Sequence, residues 1–177
     1  KAKPGTLNYG FGATGGSVHL ATELFNYMAG VNIVRISFKG GGPLYTAVIS
    51  GEVQFTLASA GGAIPHIKSG RMRALAVSSS KPSVLFPGLP TIAASGVPGY
   101  EWAFTQGVLA PGKTPAAIVT RINQEIVRVL NTQDVKDKFF NAGVDVVGGS
   151  PEQLAAKMKS EMTRMGKVIK DAGIRVE

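Results

Sequence analysis

Apolar positions recur along this chain with two periods, and glycine or proline marks most of the places where the period changes. Over 17–29, Leu20, Leu24 and Met28 fall on one helical face, and Gly30 supplies a left-handed stop. A short extended run, 6–9, leads into this helix through a glycine-rich turn. The β-branched run 33–38 reads as a strand. A helix is predicted over 43–50, with Pro43 in its first turn and Gly51 at its end. A strand over 53–59 and a short helix carrying Ile64, His66 and Ile67 to Gly70 follow. The near-continuous apolar run 73–77 fits a strand covered on both faces.

The pattern changes over 78–99. Pro82, Pro87, Pro90 and Pro98 mark a long irregular connection, interrupted by a short helix around 91–95. An extended segment is expected over 100–110. A strong helix then opens at Thr114-Pro115, with Ile118, Ile122, Ile126 and Val129 at helical spacing. A short helix over 134–142 and a brief strand over 144–147 come next. Ser150-Pro151-Glu152-Gln153 is a capping box that opens a helix to about Asp171. Leu154, Met158, Met162, Met165 and Ile169 are expected to face inward there, and Gly173 to end it.

Strands and helices that alternate through short connections imply an α/β domain with a mainly parallel sheet. Ligands of such sheets bind beyond the carboxyl ends of the strands. Three turns leave those ends, at 10–17, 39–43 and 59–62, and all are rich in glycine and small polar residues. The first reads Y-G-F-G-A-T-G-G-S-V-H-L from Tyr9 to Leu20. The first N–H groups of a helix lack intrahelical partners and sit at the positive end of its dipole, so this turn can hold a carboxylate or phosphate without a charged side chain. The candidate ligand contacts are Phe11, Gly12, Ala13, Thr14, Gly15, Gly16, Ser17 and Ser59. Gly10, Gly12 and Gly15 fit G-x-G-x-x-G by spacing, but no acidic residue follows a second strand and no G-K-[ST] is present. A plain tight turn without a ligand stays open as the alternative on pattern alone.

Composition narrows the classes. With 177 residues, 44% hydrophobic and 17% charged, the chain has enough apolar mass for one ordinary domain or two small lobes. The formal charge of +8 favours an anionic partner, but the basic residues are scattered and form no block, so nucleic acid ranks low. Cysteine is absent, and no His, Asp or Glu cluster has metal-ligand spacing, so neither a metal nor another cofactor is expected. No apolar run reaches membrane-spanning length, no signal peptide is evident, and Lys1-Ala2-Lys3-Pro4-Gly5 reads as the start of a trimmed product. His19 follows Ser17 by two positions, which do not face each other on a helix; it reads as structural or capping, and His66 as helix packing. No catalytic residue is assigned, and the chain is not expected to be an enzyme.

A series of segments is similar to the periplasmic solute-binding receptors of tripartite tricarboxylate transporters, the Bug-type receptors. They are L-N-Y-G, G-G-S-V-H-L, F-K-G-G-G-P, G-E-V-Q-F, I-P-H-I-K-S-G-R-M-R-A-L-A-V, L-P-T-I-A-A-S-G-V-P-G-Y-E, V-L-A-P-G-K-T-P, V-G-G-S-P-E-Q-L and G-K-V-I-K-D-A-G-I, in the family's order from about Gly5 to Val176. The resemblance implies a type II periplasmic-binding-protein fold that captures a small carboxylate between two lobes and hands it to a membrane permease. It implies that 1–101 form a complete second lobe, and that 102–177 are the helix-rich C-terminal part of a first lobe whose main strands are not in this chain. Two departures bear on the ligand: Phe11 stands where the family usually has serine, and Ala58-Ser59 where it often has Asp-Asn.

Two functions remain: a receptor, or a non-transporting, self-associating remnant of one. The helices over 115–130 and 151–171 each carry an apolar stripe with too little sheet in this chain to cover it. A homodimer built mainly from residues after Trp102 is the expected cover, with exchange of the C-terminal arm as one route to it.

Overall fold

The structure, a computed structural model, describes residues 5–171 and 174. The first four residues, read above as part of a trimmed start, and Gly173, the expected helix stop, lie outside them. The elements in order are β1 (Asn8–Phe11), α1 (Ser17–Ala29), β2 (Val34–Ser37), α2 (Gly41–Ser50), α3 (Ala60–Lys68), α4 (Ala116–Leu130), α5 (Gln133–Asn141) and α6 (Pro151–Asp171). They divide into two compact units, 1–104 with 165–177, and 105–164.

In the first unit β1 and β2 pair in parallel, with Asn8 opposite Val34 and Phe11 opposite Ser37. On the other flank of β1 runs the segment expected as a strand over 53–59. The Gln54 N–H donates to the Asn8 carbonyl at 3.0 Å, and the Gly10 N–H to the Phe55 carbonyl at 3.1 Å. The ladder stops at this one parallel bridge, Tyr9 to Phe55. The reason is local: the Thr56 hydroxyl donates to the Gly10 carbonyl at 3.0 Å, the acceptor a continuing ladder would give to a backbone N–H.

The strand expected over 73–77 likewise shrinks to a bridge between Val77 and Thr91. Its neighbour segment contains Pro90, which has no N–H to donate. The short helix expected around 91–95 is a hydrogen-bonded turn closed by Ser95 N–H on the Thr91 carbonyl at 3.0 Å. Residues 100–110 carry no assigned strand or helix. The brief strand expected over 144–147 is irregular. Its first N–H, from Val144, instead closes the end of α5 on the Phe139 carbonyl at 2.9 Å.

The core of the first unit brings together Ala21 and Leu24 of α1, Ile92, Val97, Tyr100, Trp102, and Met165 and Val168 of α6. The Tyr100 hydroxyl donates to the Ala21 carbonyl at 2.9 Å, and its ring meets Phe25 edge-on at 6.1 Å. Trp102 is held in place by its backbone, whose N–H donates to the Ser78 carbonyl at 2.8 Å and whose carbonyl accepts from the Ser78 hydroxyl at 2.9 Å. Gly10 matters for the sheet: a side chain there would run into Leu44, Phe38 and Val53, so its lack of one lets α2 lie close on β1.

The second unit holds α4, α5 and most of α6. The capping box at its start forms as expected: Gln153 N–H donates to the Ser150 hydroxyl at 3.3 Å, and Ser150 N–H to the Gln153 side-chain carbonyl at 2.8 Å. The apolar stripes form but stay open. Ile118, Ile122, Phe140 and Met158 are between 45% and 49% exposed, and Met162 is 73% exposed. This corrects the expectation that Met158 and Met162 face inward. Of the buried α6 residues, Met165 and Val168 both lie past Arg164, in the first unit.

Candidate functional site

The parallel arrangement of β1, β2 and the 53–58 segment sends three helices off one edge. Each starts without an acid in its first turn and without a side chain capping it. The residues ahead of them are Gly16, Gly40 and Ser59. Two of these helix starts are in direct reach of each other. A Cβ on Gly12 would lie 3.3 Å from the Gly40 Cα, so the turn after β1 packs backbone to backbone against the turn after β2. Phe38 N–H, donating to the Phe11 carbonyl at 2.8 Å, ties the two turns together at their roots.

The N–H groups of the first turn are allotted as follows. Gly16 N–H donates to the Ala13 carbonyl at 3.0 Å, and Gly15 N–H to His19 Nδ1 at 3.0 Å. The first helical bond runs from Leu20 N–H to the Gly16 carbonyl at 3.0 Å. Among the described residues, the N–H groups of Gly12, Ala13, Thr14, Ser17 and Val18 have no protein acceptor. These are the donors such a site can offer an anion. Gly15 also needs its glycine for conformation, with φ at +72°. Substitution there strains the backbone whether or not a ligand binds.

The sequence placed Phe11 among the ligand contacts. Its ring is buried and lies flat on His19, with centroids 4.4 Å apart and planes 16° apart. Ser59 precedes α3, and its carbonyl accepts from Ala63 N–H at 3.1 Å, leaving its hydroxyl at the helix start. Gly40 and Thr56 went unnamed in the sequence reading. Gly40 was legible as part of the G-G-G-P run, whereas the role of Thr56 depends on a strand neighbour that no local pattern reveals.

Beneath the turn lies a buried polar cluster. Tyr9 donates its hydroxyl to Glu23 Oε1 at 2.5 Å, and His19 Nε2 lies 3.9 Å from the same oxygen without a hydrogen bond. Burial pushes the Tyr9 phenol up, and the Glu23 hydrogen bond and charge push it the same way; Arg35 opposes them. Burial holds His19 below its usual range, against the pull of Glu23 and with the help of Arg35. His19 is therefore neutral in the fold while the unfolded chain takes up a proton near pH 6.5. The folded state then binds fewer protons, so the stability from this group is present above about pH 6.5 and is lost as pH falls through the unfolded value towards the folded one. Urea midpoints at pH 7.5 and 5.5 should fall further in the wild type than in His19→Asn; equal falls would refute this linkage.

Open depressions of about 490 and 450 Å³ occur in the second unit, the first lined by Ala155, Met158, Lys159, Met162 and Thr163. Among the described residues no group of His, Asp and Glu could hold a metal ion.

The model of the tripartite tricarboxylate transporter family receptor matches residues 1–174. The chain belongs to this receptor family. It is a family of solute-binding receptors and not of enzymes. The chain is 35% identical over 170 residues to the UPF0065 protein in the tcbD-tcbE intergenic region of Pseudomonas sp. (strain P51), covering 96% of this chain and 51% of that protein. It is 32% identical over 177 residues to BugT of Bordetella pertussis, covering 100% of this chain and 54% of BugT. Among solved structures, R. palustris Rpa4515 with adipate superposes with a TM-score of 0.88 at 38% identity, over 98% of this chain and 58% of that one. The superposition shows the periplasmic-binding-protein fold expected from the sequence, an α/β lobe with a parallel sheet and helix-rich remainder. The chain spans about half the length of these curated relatives. No helix among its described residues is long and apolar enough to cross a membrane.

Proposed function

We propose that this chain is the ligand-binding part of a periplasmic receptor that captures a small dicarboxylate for a membrane permease. The observation that carries this reading is the apposition of Gly12 and Gly40, which sets two uncapped, acid-free helix starts side by side. One carboxylate takes the N–H groups of Gly12, Ala13, Thr14 and Ser17, with the Ser17 hydroxyl beside them; the Ser59 hydroxyl serves the same crevice from α3. Phe11 and Gly15 shape the turn, and Gly16 caps its helix. In this reading 1–101 form the second lobe and 102–177 belong to the first. The adipate held by Rpa4515 supports a dicarboxylate as the ligand class. Isothermal titration of folded protein with adipate, and with butyrate as a monoacid control, is the test. Saturable heat with adipate is expected, and uniformly absent heats across a dicarboxylate panel overturn the reading.

A second reading is favoured by the open faces of α4, α5 and α6. Each large apolar side chain covered contributes roughly 1.5–3 kcal/mol, so the drive to cover them is strong. We infer a homodimer through residues after Trp102, by exchange of the C-terminal arm or by simple face-to-face packing, and in the extreme a self-associating protein without transport function. Light scattering on dilute protein should give twice the chain mass, and Ile122→Lys with Met162→Lys should return it to one. A well-folded wild-type monomer sinks this reading.

A further inference from the structure

We propose that His19 is the positioning residue of the anion-binding turn, acting as a neutral acceptor that fixes the Gly15 amide while keeping negative charge out of the site. The inference rests on the receptor reading above and deepens it.

His19 occupies the third position of α1, counting from the N-cap Gly16. In a capping box that position carries Glu or Gln, whose side chain reaches back to an N–H ahead of the helix. Here the imidazole reaches one residue further back: Nδ1 accepts from Gly15 N–H at 3.0 Å, while the N–H of the N-cap Gly16 goes to Ala13. Glutamate would make the same bond, but its charge would sit one turn from the bound carboxylate and at the same helix end. Imidazole supplies the acceptor without the charge. The absence of acids from the first turns of α1, α2 and α3 follows the same logic.

The surroundings hold the ring in one form. His19 is 1% exposed, and Phe11 stacks on its face at 4.4 Å. An Nδ1 that accepts requires the proton on Nε2, and Nε2 points towards Glu23 Oε1 at 3.9 Å. That oxygen also accepts from Tyr9 at 2.5 Å, and the 3.9 Å separation leaves Nε2 without a hydrogen bond. Glu23 from α1 and Arg35 from β2 are the ionisable groups that act on the ring, and Tyr9 from β1 holds the Glu23 carboxyl. A protonated ring would turn Nδ1 into a donor facing the Gly15 N–H, and the turn would have to open.

Three measurements on the whole chain test this. Long-range nitrogen–proton NMR of the wild type should show the Nε2–H tautomer, and the Nδ1–H tautomer overturns the proposal. The Gly15 amide should exchange slowly in the wild type and in His19→Asn, whose Oδ1 replaces Nδ1, and quickly in His19→Phe, which keeps the stacking and loses the acceptor. At pH 7.5 adipate affinity should fall about tenfold in His19→Phe and stay within about threefold in His19→Asn, the scale of one lost hydrogen bond at a preorganised site. A folded His19→Phe that protects the Gly15 amide and binds like the wild type overturns the proposal. If His19→Phe does not fold, the tautomer and the His19→Asn exchange decide. If the wild type binds no adipate, the receptor reading fails, and the tautomer and amide exchange still decide whether His19 positions the turn.

Discussion

Tyr100→Ala should cost the first unit about 3–5 kcal/mol, a large part of what a domain of this size has to spare. The ring is 1% exposed and sits among Ala21, Leu24, Ile92, Val97 and Trp102. Its removal leaves a cavity between α1 and the 91–102 segment, which α6 closes with Met165 and Val168. The hydroxyl reaches a backbone carbonyl across 79 positions of sequence, so it also pins the end of the segment to the middle of α1. Tyr100→Phe separates the two roles and should cost about 1 kcal/mol. Urea unfolding of the variants checks both, and an alanine variant within about 1 kcal/mol of the wild type would show that the segment repacks freely.

Adipate affinity should fall by at least about tenfold in Gly12→Val, the scale of losing one well-placed interaction at a preorganised site. A Cβ at Gly12 meets the Gly40 Cα at 3.3 Å and the Gly40 carbonyl carbon at 3.4 Å, both backbone atoms of a turn whose own φ is +89°. A valine adds two methyl groups in the same gap. The turns must part, and the N–H groups of the first turn then no longer converge on one anion. Gly166→Ala, where a Cβ meets nothing within 4 Å, should leave affinity within about twofold and slightly strengthen α6. Titration calorimetry on the three proteins decides; a Gly12→Val protein that binds as the wild type does removes Gly12 from the site.

The helices were legible in the sequence because their signals are local. Gly30 and Gly51 stand where α1 and α2 stop, both with positive φ, and Ser150 with Gln153 opens α6. The strands were less legible, since a ladder depends on what lies beside it. The apolar run at 73–77 looks like a covered strand, yet Pro90 opposite it ends the pairing after one bridge. The glycine turn was visible as a candidate anion site, and so was its place at the carboxyl edge of a parallel sheet. The allocation of its N–H groups was not. Which of Gly15, Gly16 and Ser17 keeps a free donor depends on where the His19 ring lies, and that depends in turn on Phe11 and Glu23 packing around it. The inward face of α6 failed at Met158 and Met162, because periodicity marks a stripe without saying what covers it.

The single tryptophan has a practical consequence. Trp102 lies in the core of the first unit, and Tyr9, Tyr27, Tyr45 and Tyr100 all belong to that unit as well. The second unit contains phenylalanine as its only aromatic type, at Phe139 and Phe140. Intrinsic fluorescence therefore watches one half of the molecule, while circular dichroism sees both, since the helices divide about evenly between the two units. The chain is in this sense already labelled. Coincident melting curves from the two signals would mean that both units unfold as one, and curves that separate would time the loss of each without any added dye or engineered probe.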